Sequence, residues 1–140
     1  MRIDPVSARE IAVSGMKAQR ARMNVIANNI ANFQTERTPD GHAFRRQMVI
    51  LRGNQIGHGA NPDEVGVRVK RIAYDMSPLR RVFQPSHPDA DAAGYVEYPN
   101  IDLAVENVNL ISAQRAYEAN LAVLVSNSRM AQAAQRIIGQ

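Results

Sequence analysis

A chain of 140 residues has room for one ordinary domain with a modest core, and this one contains neither cysteine nor tryptophan. Disulfides, thiolate metal sites and thiol chemistry are therefore excluded, and a core drawn from Ala, Val, Ile, Leu and Met suits helix pairing better than a dense globule. The net charge of +4 gathers in the first helix through Arg9, Lys17, Arg20 and Arg22, which reads first as a solvated face and second as a site for nucleic acid or an acidic membrane surface.

The first residues lack the apolar stretch of a cleavable secretory signal, and no run approaches the ~20 apolar residues of a membrane span. The expectation is a soluble chain that does not use the general export route. Pro5, Ser7 and Glu10 form a capping-box pattern for a helix running to about Ala31. Along it, Ala12, Met16, Gln19, Met23, Ile26, Ile30 and Phe33 follow steps of four and three, one stripe turned to a partner. Gly15 costs this helix about 1 kcal/mol relative to Ala, which points to a site of close packing. Asn28, Asn29 and Asn32 compete for backbone groups and end the helix, or else bond to neighbouring chains while Ile30 and Phe33 pack.

Thr38, Pro39, Asp40 and Gly41 make a turn, after which the period changes. Phe44 to Leu51 reads as a strand, Gly53 to Gly66 as a loop, and Val65, Val67 and Val69 alternate with Gly66, Arg68 and Lys70 as a half-buried strand does. Arg80 to Gln84 and Tyr95 to Tyr98 are two further strands. Together they predict one small antiparallel sheet of three or four strands, with Pro78, Pro85, Pro88 and Pro99 at its ends and edges. Between the last two strands, His87, Asp89 and Asp91 are the one constellation resembling a cation site. It lacks the ligand number and glycine placement of a calcium loop, and His42 and His58 have no zinc-like spacing. A structural loop is the expectation. No nucleophile triad, phosphate loop or dinucleotide fingerprint is present, so neither catalysis nor a cofactor is expected.

From Ile101 onward there is no proline, and Asn100 or Asp102 can cap a long helix with Glu106 in its first turn. Every seventh residue is apolar: Leu103, Leu110, Tyr117, Leu124, Ala131 and Ile138, with Ala113, Leu121, Ser128 and Ala134 beside the row. Ala113, Ala116 and Ala119 permit close approach, while Arg115, Glu118 and Asn120 offer polar contacts. Val105, Val108, Ile111, Val123, Val125, Met130 and Ile137 spread beyond one seam, more than two helices can bury between them, so other chains are expected to cover them. The fold class is α+β: long N- and C-terminal helices pair as a coiled-coil-like domain (1–35 and 99–140), with a small antiparallel β domain (36–98) between them.

Two stretches, Ser14-Gly15-Met16 with Asn24 to Asn32 and Thr35, and Ser112 to Asn120, resemble the terminal signatures of bacterial flagellar rod and hook proteins. Arg37 to Gly41, Phe44 to Gln47, and His87 to Val96 with Pro99 and Asn100 resemble the proximal-rod branch of that family. Phe33-Gln34 departs from the small residues expected there. The resemblance implies a structural subunit of the basal-body rod, exported by the flagellum's own type III apparatus into the periplasmic rod. Its partners would be itself and other rod proteins in a helical lattice, membrane-ring and export-gate adaptor proteins, and the surrounding rings, with no nucleic acid and no small-molecule substrate. The seam and subunit interface would then use Met16, Met23, Ile26, Ile30, Leu110, Tyr117, Leu121, Leu124, Ala131 and Ile138. The family's polar motif would fall on Asn28, Asn29, Asn32, Arg115, Glu118 and Asn120. An open head-to-tail interface of this kind makes a filament. The other readings are a basic helical nucleic-acid-binding protein, which predicts salt-sensitive DNA binding, and a stand-alone coiled-coil adaptor, which predicts stable helices in isolation.

Overall fold

The computed structural model describes residues 5–55 and 65–138. Along the chain lie α1 (Pro5–Ala31), β1 (Gln47–Gln55), β2 (Val65–Tyr74), β3 (Arg80–Phe83), β4 (Tyr95–Tyr98) and α2 (Leu103–Ile138). The two long terminal helices pack together with β hairpins between them in sequence, the α+β arrangement expected. The Ser7 side chain, and with it the expected capping box, lies outside the described side chains, as does the side chain of Ile138.

Each helix ends for a local reason. At the start of α2 the Asp102 carboxylate accepts the N–H groups of Ala104 (2.8 Å) and Val105 (3.3 Å), so Asp102, not Asn100, is the cap. At the end of α1 the Asn32 amide donates to the Asn28 carbonyl at 2.9 Å, and Thr35 closes on Asn32 through both its N–H and its hydroxyl. A tight turn follows in which Gly41 N–H reaches the Thr38 carbonyl at 2.8 Å, with Gly41 at φ 84°, where a side chain would be strained.

The strands form two separate two-stranded antiparallel ribbons, β1–β2 and β3–β4, where one sheet of three or four was expected. Helix α1 explains why. The Val67 N–H on the outer edge of β2 donates to the Ser14 hydroxyl of α1 at 3.0 Å, and the backbone of Gln47 at the head of β1 exchanges two bonds with the Asn29 amide. Groups that would have recruited another strand are spent on the helix. The first strand begins three residues later than expected, at Gln47, and β1 and β2 take up Gly53–Gln55 and Val65–Gly66 of the expected loop; the remainder, 56–64, lies outside the described residues. Lys70 is passed over in the pairing, since Ile50 faces Arg71 and Leu51 faces Val69, which makes a bulge in β2.

In the smaller ribbon Val96 is buried, the Phe83 and Tyr95 rings meet edge to face at 5.3 Å, and the guanidinium groups of Arg80 and Arg81 lie over Tyr98 and Tyr95. The turn between its two strands is built on Asp91, whose carboxylate accepts the N–H groups of Tyr95 and Ala93 and ion-pairs with Arg81. Those bonds, the one from Tyr95 foremost, hold its carboxyl below the usual aspartate range.

The helices run antiparallel, because Asn29 meets Glu106 while Gly15 meets Asn120. Small residues set their spacing: Ala12, Gly15 and Ala18 are buried along α1, and Ala113 is wholly buried on α2. The row of α2 that faces α1 is Glu106, Ala113, Asn120 and Asn127, also spaced by seven but three residues beyond the apolar row. A Cβ built on Gly15 would stand 2.8 Å from the Asn120 amide, itself bonded to the Ala116 carbonyl at 2.8 Å. Replacing Gly15 with Val should therefore lower stability by about 1–3 kcal/mol through overpacking. Adding Asn120→Ala should recover part of the loss, as a urea-melt double-mutant cycle would register.

Candidate functional site

A polar junction joins the end of α1, the open end of the long ribbon (where β1 begins and β2 ends) and the start of α2. Glu106 is 0% exposed. An unpaired carboxylate there would cost several kcal/mol, so its partners define the geometry. One oxygen accepts Arg46 Nε at 2.8 Å and Nη2 at 2.7 Å, and the other accepts the Asn29 amide at 3.0 Å. Arg46 extends its remaining nitrogen to Asp75 at 3.3 Å. Its planar fork thus bridges two carboxylates, a task for which the point charge of a lysine is unsuited.

Asn29 and Asn100 complete the junction by reading backbone. The Asn29 amide donates to the Gln47 carbonyl and accepts the Gln47 N–H, both at 2.9 Å, as a neighbouring strand would. Asn100 accepts the Arg46 N–H at 2.9 Å and donates to the Asp75 carbonyl and to both oxygens of Ser77. Hydrogen bonds from the Ser77 N–H, then from its hydroxyl, hold the Asp75 carboxyl below its usual value, with Arg46 adding to the effect and burial opposing it. Of these groups the sequence marked Asn29 only as part of a polar motif, Asn100 as a possible cap and Glu106 as a first-turn acid. Arg46 falls within the Phe44 to Gln47 motif, and Asp75 carried no signal.

The expected interface residues fall into three groups. Ile26 is buried; Met16, Met23, Ile30, Leu110, Tyr117 and Leu124 are half-buried along the flanks of the helix pair; Leu121 and Ala131 are exposed. Of the polar motif, Asn28, Arg115 and Glu118 are exposed, Asn32 and Asn120 half-buried, and Asn29 wholly enclosed. Val105, Val108, Ile111, Val123, Val125, Met130 and Ile137 are all exposed on α2, and every residue from 128 to 137 faces solvent. Apolar side chains therefore flank the seam on both sides and continue past it.

The loop constellation is composed differently from the one expected. Glu36, not Asp91, joins His87 and Asp89, their ligand atoms lying within 4.8 Å of one another. His87 Nδ1 accepts the Asp89 N–H at 3.2 Å, which puts the proton of the neutral ring on Nε2, the atom 3.1 Å from Glu36. The nitrogen that faces the carboxylates is thus a donor with no free lone pair, and the Arg37 guanidinium already occupies Asp89 at 2.8 Å. This arrangement ties the turn after α1 to the loop before β4 and is not built for a cation. Glu36 also lies beside the Tyr98 hydroxyl, pushing its ionisation above the usual tyrosine value.

Two measurements test the junction. Glu106→Ala, which leaves the guanidinium of Arg46 with Asp75 alone, should cost about 3–5 kcal/mol in a urea melt. Because the Asp75 carboxyl is depressed in the folded chain, its contribution is present above its unfolded value and is lost as pH falls through the folded one. Asp75→Asn should accordingly flatten the fall in Tm below about pH 4.

The sequence matches two family models: "Flagella basal body rod protein" over residues 10–37 and "Flagellar basal body rod FlgEFG protein C-terminal" over 92–137. These segments hold most of α1 and of α2, and with them Asn29, Asn100 and Glu106 of the junction. Among curated relatives, the flagellar basal-body rod protein FlgC of Borreliella burgdorferi is 44% identical over 94% of this chain and 96% of its own. The FlgC proteins of Salmonella typhimurium (39% identical, 82% and 84% covered) and Bacillus subtilis (35% identical, 86% and 89% covered) are also similar. With a fold of paired terminal helices and similarity running through nearly the whole length, the chain belongs to the family of flagellar basal-body rod proteins FlgC, structural rather than enzymatic components of the flagellum.

Proposed function

We propose that this rod subunit polymerises in a helical lattice, forming the proximal part of a periplasm-spanning drive shaft and export channel. The observation that carries the reading is the exposed apolar surface of α2, on both flanks of the seam and along residues 128–137. Side chains such as Val108, Met130 and Ile137, from 63% to 79% exposed, gain nothing from water, and neighbours that cover them make polymerisation favourable. Membership of a rod family implies assembly with other rod proteins. In this proposal the terminal helices (1–35 and 99–140) line the channel and segment 36–98 lies outside them. Asn28, Arg115 and Glu118 supply polar contacts between subunits, while Met16, Met23, Leu110, Tyr117, Leu121, Leu124 and Ala131 border the interface. The further partners are the membrane-ring and export-gate adaptor proteins and the surrounding rings, and the type III apparatus delivers the chain. No described helix is long and apolar enough to cross a membrane.

Leu121, 40% exposed, separates assembly from folding. Leu121→Asp should leave the circular dichroism and melting of the purified chain close to wild type while abolishing rods in basal-body preparations. Complete rods built from the variant would remove Leu121 from the interface.

A further inference from the structure

Away from the junction, α1 and the long ribbon enclose a groove of about 700 Å³. Val13 and Val67 contribute apolar floor, and Arg9, Lys17 and Arg68 bring three cations to it against the single acid Glu10. Arg68 also stands directly opposite Arg52 across the ribbon, an exposed like-charge pair of the kind that weakens a hairpin. Among the described residues Asp75, Asp89, Asp91 and Glu106 are held in ion pairs within the chain and Glu36 lies 3.1 Å from His87 Nε2, whereas Arg9, Lys17, Arg52 and Arg68 stand in no ion pair.

We infer that this groove docks an acidic amphipathic segment of a different protein. The occupant must bring apolar side chains for the floor and carboxylates for the rim, since among the described residues the groove presents three cations against one acid, a field that favours an anionic partner. A second copy of this chain answers poorly: it carries a net charge of +4, and half of its described acids are already paired. Nucleic acid would leave the valines uncovered, and a single strand would find no aromatic side chain in the groove for base stacking. The inference deepens the rod reading and rests on it, since it names the chemistry of one heterotypic contact within the assembly. The unfavourable placing of Arg68 opposite Arg52 is then accounted for by the contact that Arg68 makes on assembly.

The test is charge reversal in the full chain, using Lys17→Glu with Arg68→Glu, and Arg68→Glu alone as the milder variant. Each purified variant should melt at or above the wild-type Tm, because a glutamate at position 68 faces Arg52 across the ribbon. In cells, the amount of variant recovered in basal bodies should fall at least tenfold. Second-site changes restoring motility should convert an acidic residue to a basic one in another rod protein. Normal recovery of both variants overturns the groove proposal alone, as do suppressors confined to this chain's own acids, which would make the occupant a second copy. Binding of the wild type, but not the variants, to duplex DNA or phosphatidylglycerol vesicles at physiological salt also overturns it. Absence of the wild-type chain from the same basal-body preparation overturns the rod reading, and this proposal with it.

Discussion

The fold turns on a carboxylate that water cannot reach. Glu106 is wholly buried where four elements meet, and Arg46 and Asn29 close around its two oxygens. A buried pair of this kind adds little net stability over an apolar contact, but it permits few alternative arrangements. It sets the register of α2 against α1 and fixes the ribbon to both. Without it the helix pair would be two rods of small residues able to slide, since Ala12, Gly15, Ala18 and Ala113 offer close contact but little interlocking.

Close approach and polar register together give the subunit a thin, stiff axis. The same economy leaves large apolar side chains outside. Aliphatic residues on the flanks of α2 are spared from the internal seam, whose facing row is Glu106, Ala113, Asn120 and Asn127. A chain whose smallest residues face inward and many of whose aliphatic ones face outward is incomplete alone. Under the proposed assembly, neighbours would cover those side chains and add stability, in keeping with a family of rod components.

The smaller features serve the same end. The pairs Arg37–Asp89 and His87–Glu36 hold the turn after α1 against the loop before β4, so a segment that looked like a cation site acts as a clasp. The bulge at Lys70 and the edge bond from Val67 to Ser14 bend the long ribbon onto α1 and use up an edge that could otherwise pair with a stray strand.

Both helices, the four strands as segments and the family were legible in the sequence, because helix periodicity, asparagine stops, turn glycines and β-branched alternation are local codes read within a few residues. The close approach at Gly15 belongs to that class, whereas the choice of Asp102 over Asn100 as the cap came from the structure. What only the tertiary structure decided was which of two seven-residue rows on α2 faces α1, that the strands divide into two ribbons, and that Arg46, Asp75, Asn100 and Glu106 converge. The apolar row of Leu103, Leu110, Tyr117 and Leu124 is the stronger local signal. The buried row prevails because Glu106 must meet Arg46 and Asn29, residues 60 and 77 positions away along the chain. No local pattern carries that information, since desolvating a charge is favourable only once its distant partners are already in place.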